Sequence, residues 1–137
     1  MTDRFAELLH ELGKVLGLAL YPDHRNACKI VIQGHAALQI QVERNDEDLF
    51  ILALLPEVPP GRYRQDVLKE ALKENRTSAG TLAFLAAQNR LVLFQHLRLE
   101  HATGETLAAT LFALHERALA WSKALQEGRT SPPHALK

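Results

Sequence analysis

Histidine titrates nearest to neutrality and is the commonest metal ligand among the side chains, and this sequence carries seven of them. Two stand before a glutamate in helix-like segments, as His10-Glu11 and His115-Glu116. A zinc-binding helix of that type needs a second histidine four residues on, so that both imidazoles project from one face one turn apart. Those positions hold Lys14 and Leu119. The remaining histidines are scattered over turns, strands and the C-terminal segment. Ser78 and Ser122 lack the strand-turn-helix context that exposes a nucleophilic serine, and Ser131 lies in the tail. Asp46, Glu47 and Asp48 are adjacent, but they fall in a turn between two strand-like runs, where acids are normally solvated. Cys28 is the single cysteine. It excludes an internal disulfide, fits a reducing compartment and reads as a small buried hydrophobe. The seven glycines are isolated, so there is no loop to cradle a phosphate. The residues therefore predict no catalytic group, no cofactor and no metal.

The elements around these residues are more informative. The chain has 137 residues, the length of one domain, and 47% of them are apolar. Phe5, Leu8, Leu9, Leu12, Val15 and Leu16 follow the i, i+3, i+4, i+7 spacing of an amphipathic helix over residues 3–16, with Thr2 or Asp3 as cap and Gly17 as its end. Residues 27–32 alternate, with Cys28, Ile30 and Ile32 on one face. Leu38, Ile40 and Val42 alternate with Gln39, Gln41 and Glu43. Residues 49–55 are apolar at every position, which predicts a central strand covered on both faces. The short turns at Gly34 and at Asn45-Asp46 imply an antiparallel meander.

Pro56, Pro59, Pro60 and Gly61 end that strand and introduce a second helix over residues 62–75. Its apolar stripe is narrow: Val67, Leu68, Ala71 and Leu72. The rest of the helix alternates charge, and Asn75 is expected to close it because asparagine tolerates left-handed backbone. Residues 81–87 and 90–99 read as a hairpin around Gln88 and Asn89. A long helix from about Gly104 places Leu107, Leu111, Leu114, Ala118, Trp121 and Leu125 on one stripe. The fold class is α+β, ordered helix, three strands, helix, two strands, helix, with an antiparallel sheet packed by helices. Residues 1–126 form one domain, and 127–137 are expected to be a disordered tail.

Charge excludes further classes. Sixteen basic residues balance sixteen acidic ones, whereas affinity for nucleic acid comes from a cationic excess that displaces counterions. Helix, three strands, helix is also the order of a double-stranded RNA-binding module. That module wants lysines at the start of its second helix, where this chain has Gly61-Arg62-Tyr63-Arg64-Gln65-Asp66. It stands as an alternative, as does a small enzyme of unrecognised class, for which no residue speaks. No uncharged run approaches the roughly 20 residues of a membrane span, and the N-terminus does not look like a secretory signal. A soluble cytoplasmic protein without membrane or nucleic-acid partners is expected.

Several segments taken together resemble the class I chaperones of bacterial type III secretion, the Tir-chaperone family. These are the opening helix ending Val15-Leu16-Gly17-Leu18, the runs ACKIVI, ALQIQVE and LFILALL, and Pro59-Pro60-Gly61 leading to VLKEALKEN, which ends at Asn75. The closing helix with Ala118-Leu119-Ala120-Trp121 continues the likeness, which covers about residues 5–125. The resemblance implies a small homodimer of the bacterial cytoplasm that binds the N-terminal region of a secreted effector in extended form. It places the dimer contact on Val67, Leu68, Ala71 and Leu72. It offers Phe5, Leu8, Leu12, Ile30, Leu38 and Ile40 as effector-binding residues. Family members are commonly acidic, and this chain is neutral, so apolar contact and strand addition carry more of the expected binding.

Overall fold

The computed structural model of the chain describes residues 4–31, 39–76 and 80–133, with backbone alone at 31 and 39. The elements run in the expected order: α1 (Arg4–Leu16), β1 (Ala27–Val31), β2 (Gln39–Asn45), β3 (Asp48–Glu57), α2 (Arg62–Glu74), β4 (Thr81–Leu85), β5 (Arg90–Arg98) and α3 (Gly104–Gln126), with one 3₁₀ turn, Leu99–His101, before α3. The five strands form one antiparallel sheet in the order β1-β2-β3-β5-β4. The first three strands make the meander. The chain then leaves through α2 and returns as a hairpin whose second strand, β5, pairs with β3. That insertion makes β3 central and leaves β1 and β4 as edges. Thr2, Asp3, Ile32, Gly34, Leu38 and Ser78, and the last residues of the tail, lie outside the described residues.

One sheet face carries Ile30, Ile40, Val42, Leu49, Ile51, Ala53, Leu55, Leu91 and Leu93, all buried. Helices α1 and α3 pack together and lie over this face. The α1 stripe of Phe5, Leu8, Leu9 and Leu12 is fully buried, and each such side chain contributes about 1.5–3 kcal/mol relative to exposure. The α3 stripe, from Leu107 to Leu125, is buried along its whole length as its spacing predicts.

Two glycines explain how α1 and α3 sit. A Cβ on Gly104 would lie 2.7 Å from Glu11 Cβ, so only glycine lets the start of α3 approach α1 this closely. Gly17, with φ of 73°, turns the chain out of α1 in the left-handed region. At the other end of α3, Gly128 N–H donates to Leu125 O and Arg129 N–H donates to Ala124 O, closing the helix in a Schellman arrangement. The Tyr63 hydroxyl on α2 donates to Arg129 O at 2.6 Å. The first residues after α3 are thus held against α2.

α2 flanks β4 and is braced at both ends. Arg64 donates to Val58 O from Nε at 3.0 Å and from Nη2 at 2.6 Å, donates to Asn89 Oδ1 at 3.0 Å, and lies 4.9 Å from the centre of the Phe84 ring. This ties the proline-rich connection to the β4–β5 turn. Glu74 Oε2 accepts from Arg117 and, at 2.9 Å, from the indole N–H of Trp121. The buried tryptophan has its one polar atom satisfied by this carboxylate, which joins α2 to α3.

Candidate functional site

Among the described residues, the titratable groups first considered do not converge. His115 is buried on α3 with the half-buried Leu119 one turn on, and His10 is exposed on α1. Asp48 Oδ1 accepts a hydrogen bond from His96 Nε2 at 2.7 Å, and Arg98 lies near Glu47, Asp48 and Glu100. Asp46 supplies the left-handed residue of the β2–β3 turn, with φ of 61°. Cys28 is buried, and that burial pushes its thiol pKa up, away from a reactive thiolate. Among the described residues no three His, Cys, Asp or Glu side chains come together as metal ligands do.

Five of the six residues offered as effector contacts are interior. Phe5, Leu8, Leu12 and Ile40 are 0% exposed and Ile30 is 1% exposed. They pack between α1, α3 and the sheet as part of the core. The reason is geometric: an apolar stripe beside a hydrophobic sheet and a second helix is the stripe that gets covered. The sixth, Leu38, lies outside the described residues. The four residues offered for the dimer contact divide. Val67 and Ala71 face the sheet and are buried, Leu68 is partly buried at the edge of the core, and Leu72 is 67% exposed.

The surfaces open to a partner lie elsewhere. β3 is central, as its composition suggests, but it is not covered on both faces. Phe50 and Leu52 are half-buried and Leu54 is exposed, alternating with the buried Leu49, Ile51, Ala53 and Leu55. By register Leu52 lies opposite Phe94, Leu54 opposite Val92, and Val92 opposite Ala83. This side of β3, β5 and β4 is therefore a continuous apolar surface, closed at one end by the Phe50 ring against His96, centroids 5.2 Å apart. The β1 and β2 part of the same face is polar: Lys29, Gln41 and Glu43, with the Gln41 amide donating to the Glu43 carboxylate.

The two sheet edges also differ. Arg44 N–H donates to Asn26 O, so Asn26, Cys28 and Ile30 turn their backbone groups toward β2. The alternate residues Ala27, Lys29 and Val31 turn theirs outward. Ala27 is occupied: Asp23 N–H donates to Ala27 O at 2.8 Å, and Ala27 N–H donates to Asp23 Oδ1 at 3.1 Å. Two backbone N–H groups, first that of Arg25 and then that of Ala27, hold the Asp23 carboxyl below its ordinary pKa. Lys29 and Val31 face outward beyond this cap. Near this edge the end of α1 and the turn after it expose Val15, Leu18 and Tyr21. A shallow cavity of about 340 Å³ opens there between His10, Lys14 and the 17–21 turn.

The Glu11 carboxylate spans the α1–α3 contact. Arg4 Nη1 donates to its Oε2 at 3.0 Å, and Gly104 N–H donates to its Oε1 at 3.0 Å, while Arg4 Nη2 reaches Ala102 O at 2.7 Å. The Arg4 hydrogen bond first, then the Gly104 N–H, hold its pKa below the ordinary 4.5. A lowered folded pKa gives stabilisation that is complete above the unfolded value and lost as pH falls through the folded one. Glu11→Gln is accordingly expected to lower Tm at pH 7, with the difference from wild type shrinking below about pH 4. A difference that stays constant across that range would assign the effect to packing instead of charge.

Comparison with known proteins follows the same outline. The model of the Tir chaperone protein (CesT) family matches residues 7–122. A chain of the HopA1–SchA chaperone–effector complex is similar at 20% identity, over 90% of this chain and 100% of that chain, with a TM-score of 0.73. A chain of the ExsC–ExsE complex is similar at 20% identity over 91% and 96%, with a TM-score of 0.74. The structure of the Yersinia pestis type III secretion chaperone SycH with a stable fragment of YscM2 matches at 18% identity over 84% and 97%, with a TM-score of 0.65. At these identities the likeness is one of fold. No curated protein sequence matches the chain.

Proposed function

Because this chain belongs to the Tir chaperone protein (CesT) family, we propose that it is a type III secretion chaperone that binds the N-terminal region of a secreted effector in extended form and keeps it competent for export. The observation that carries the binding mode is the outward-facing backbone of Lys29 and Val31 on edge strand β1, next to the exposed Val15, Leu18 and Tyr21. An extended segment pairs its main chain with such an edge and lays alternate apolar side chains on the neighbouring surface. Relatives of this fold solved as chaperone–effector complexes support the reading. No step of it needs a bound cofactor or a catalytic group, since holding a chain extended requires binding energy alone.

The protein acts as a homodimer in this reading. The exposed Leu72 and the partly buried Leu68 on α2, with the apolar surface of Leu52, Leu54 and Phe94, form the self-complementary contact. The bacterial cytoplasm, where the effector is made, is the place of action. Among the described residues no helix is long and apolar enough to cross a membrane.

The test is hydrogen–deuterium exchange on the chain mixed with the first hundred or so residues of a secreted protein that co-purifies with it from its native host. Protection of the Lys29 and Val31 amides, with the bound segment extended and lacking a compact protected core, is the expected result. Formation of a compact protected domain in the partner, or protection confined to α3, would overturn it. Because ordering a segment costs entropy at each residue, the contact is expected to be long, with modest affinity for its area.

A further inference from the structure

Asn75 follows the last residue of α2, and its side chain makes two hydrogen bonds to one residue of an edge strand. Its Oδ1 accepts from Leu82 N–H at 2.7 Å, and its Nδ2 donates to Leu82 O at 2.8 Å. A carboxamide presents one donor and one acceptor, which is what a strand residue presents to its neighbour in a narrow antiparallel pair. Here the pair is formed on the outer side of β4. Thr81, Ala83 and Leu85 direct their backbone groups to β5, so that within this five-residue strand only Leu82 and Phe84 point outward. Asn75 takes the first of the two.

We infer that Asn75 is an edge stop: by occupying Leu82 it closes β4 to strand addition and leaves β1, among the described residues, as the edge that accepts a strand. An incoming strand needs consecutive outward residues to gain two pairs of hydrogen bonds. At β4 it finds one, Phe84. Among the described residues it finds two at β1, Lys29 and Val31, because Asp23 takes Ala27. An unprotected edge beside apolar surface is a template for pairing with another chain, and β4 borders the half-buried Phe94 and Ala83. The backbone at Asn75 supports a side-chain role: its φ is −60°, a right-handed value that every residue adopts, so nothing in the turn calls for asparagine. The inference goes beyond the effector reading and holds whatever the partner is.

The test uses the full chain without a ligand. In Asn75→Ala the Leu82 amide is expected to exchange about tenfold faster or more, because its bond is local, while the near-ultraviolet circular dichroism of Trp121 stays at wild type. Light scattering over a concentration series is expected to show assemblies larger than wild type, with new amide protection at Phe84. Wild-type mass at every concentration, with Leu82 either still slow or newly fast, would overturn the edge stop. Should Asn75→Ala fail to fold, Asn75→Ser is read by the same two signals, since its shorter side chain cannot make both bonds. Protection appearing on β1 and not on β4 in the larger assemblies would also overturn it.

Discussion

Replacing Phe5 and Leu8 together by aspartate leaves no folded protein. Both side chains are fully buried between α1, α3 and the sheet. Truncating a buried phenylalanine to alanine costs about 3–5 kcal/mol and a buried leucine about 2–5 kcal/mol. The carboxylates add the cost of placing charge where no partner waits. The total matches or exceeds the roughly 5–15 kcal/mol by which a domain is stable. The expected observation is loss of the cooperative urea transition and of the Trp121 near-ultraviolet signal. Retention of both, with weakened partner binding, would return these residues to a contact surface and overturn the burial argument. Val15→Asp with Leu18→Asp is the control. Both are about half exposed, so that variant is expected to fold and to lose partner binding at the β1 edge.

The second large effect is on assembly. Leu52→Lys with Phe94→Glu is expected to convert the proposed dimer to a monomer of about the 15.3 kDa chain mass. The two residues lie directly opposite in the β3–β5 register. Opposite charges at such a pair are compatible with the sheet, contributing roughly 0.2–1 kcal/mol relative to alanine, so the fold should survive. At a two-fold contact the pair occurs twice and is buried against apolar surface, where desolvation is not repaid. A dimer constant weakened about a hundredfold or more corresponds to about 2.7 kcal/mol or more. Multi-angle light scattering down to micromolar concentration measures it. An unchanged dimer would move the contact away from this face, and Leu72→Glu would then show whether α2 alone forms it. Lys29→Glu, on the polar part of the face, is expected to leave the dimer intact.

The periodic signals proved reliable where the answer depends on neighbours along the chain. The α3 stripe, with Trp121 in it, is buried throughout. The strand alternation of Ile40 and Val42 against Gln41 and Glu43 separates the two faces as read. Gly17 ends its helix through left-handed backbone, as expected. The same signals were silent on which apolar surface remains open. Phe5, Leu8 and Leu12 carry the same side chains whether they meet a partner or α3. The narrow stripe of α2 splits between the buried Val67 and the exposed Leu72, although both lie within it.

Asn75 shows the limit most plainly. Its position at a helix end was legible, and the reason for it was not. Its partner, Leu82, is seven residues on, in a strand whose outward side is defined only once β5 has paired with the other side. The sequence by itself determined the order of elements, the antiparallel meander and a neutral charge balance. Those follow from local spacing, turn residues and composition, which act within a few residues of the chain. Tertiary structure alone decided that α1 and α3 cover one face of the sheet, that Phe50, Leu52 and Leu54 remain on the other, and that β4 is capped while β1 faces outward. The physical reason is that burial and edge pairing are properties of surfaces brought together from distant segments, and an apolar side chain carries no mark of which surface will reach it first.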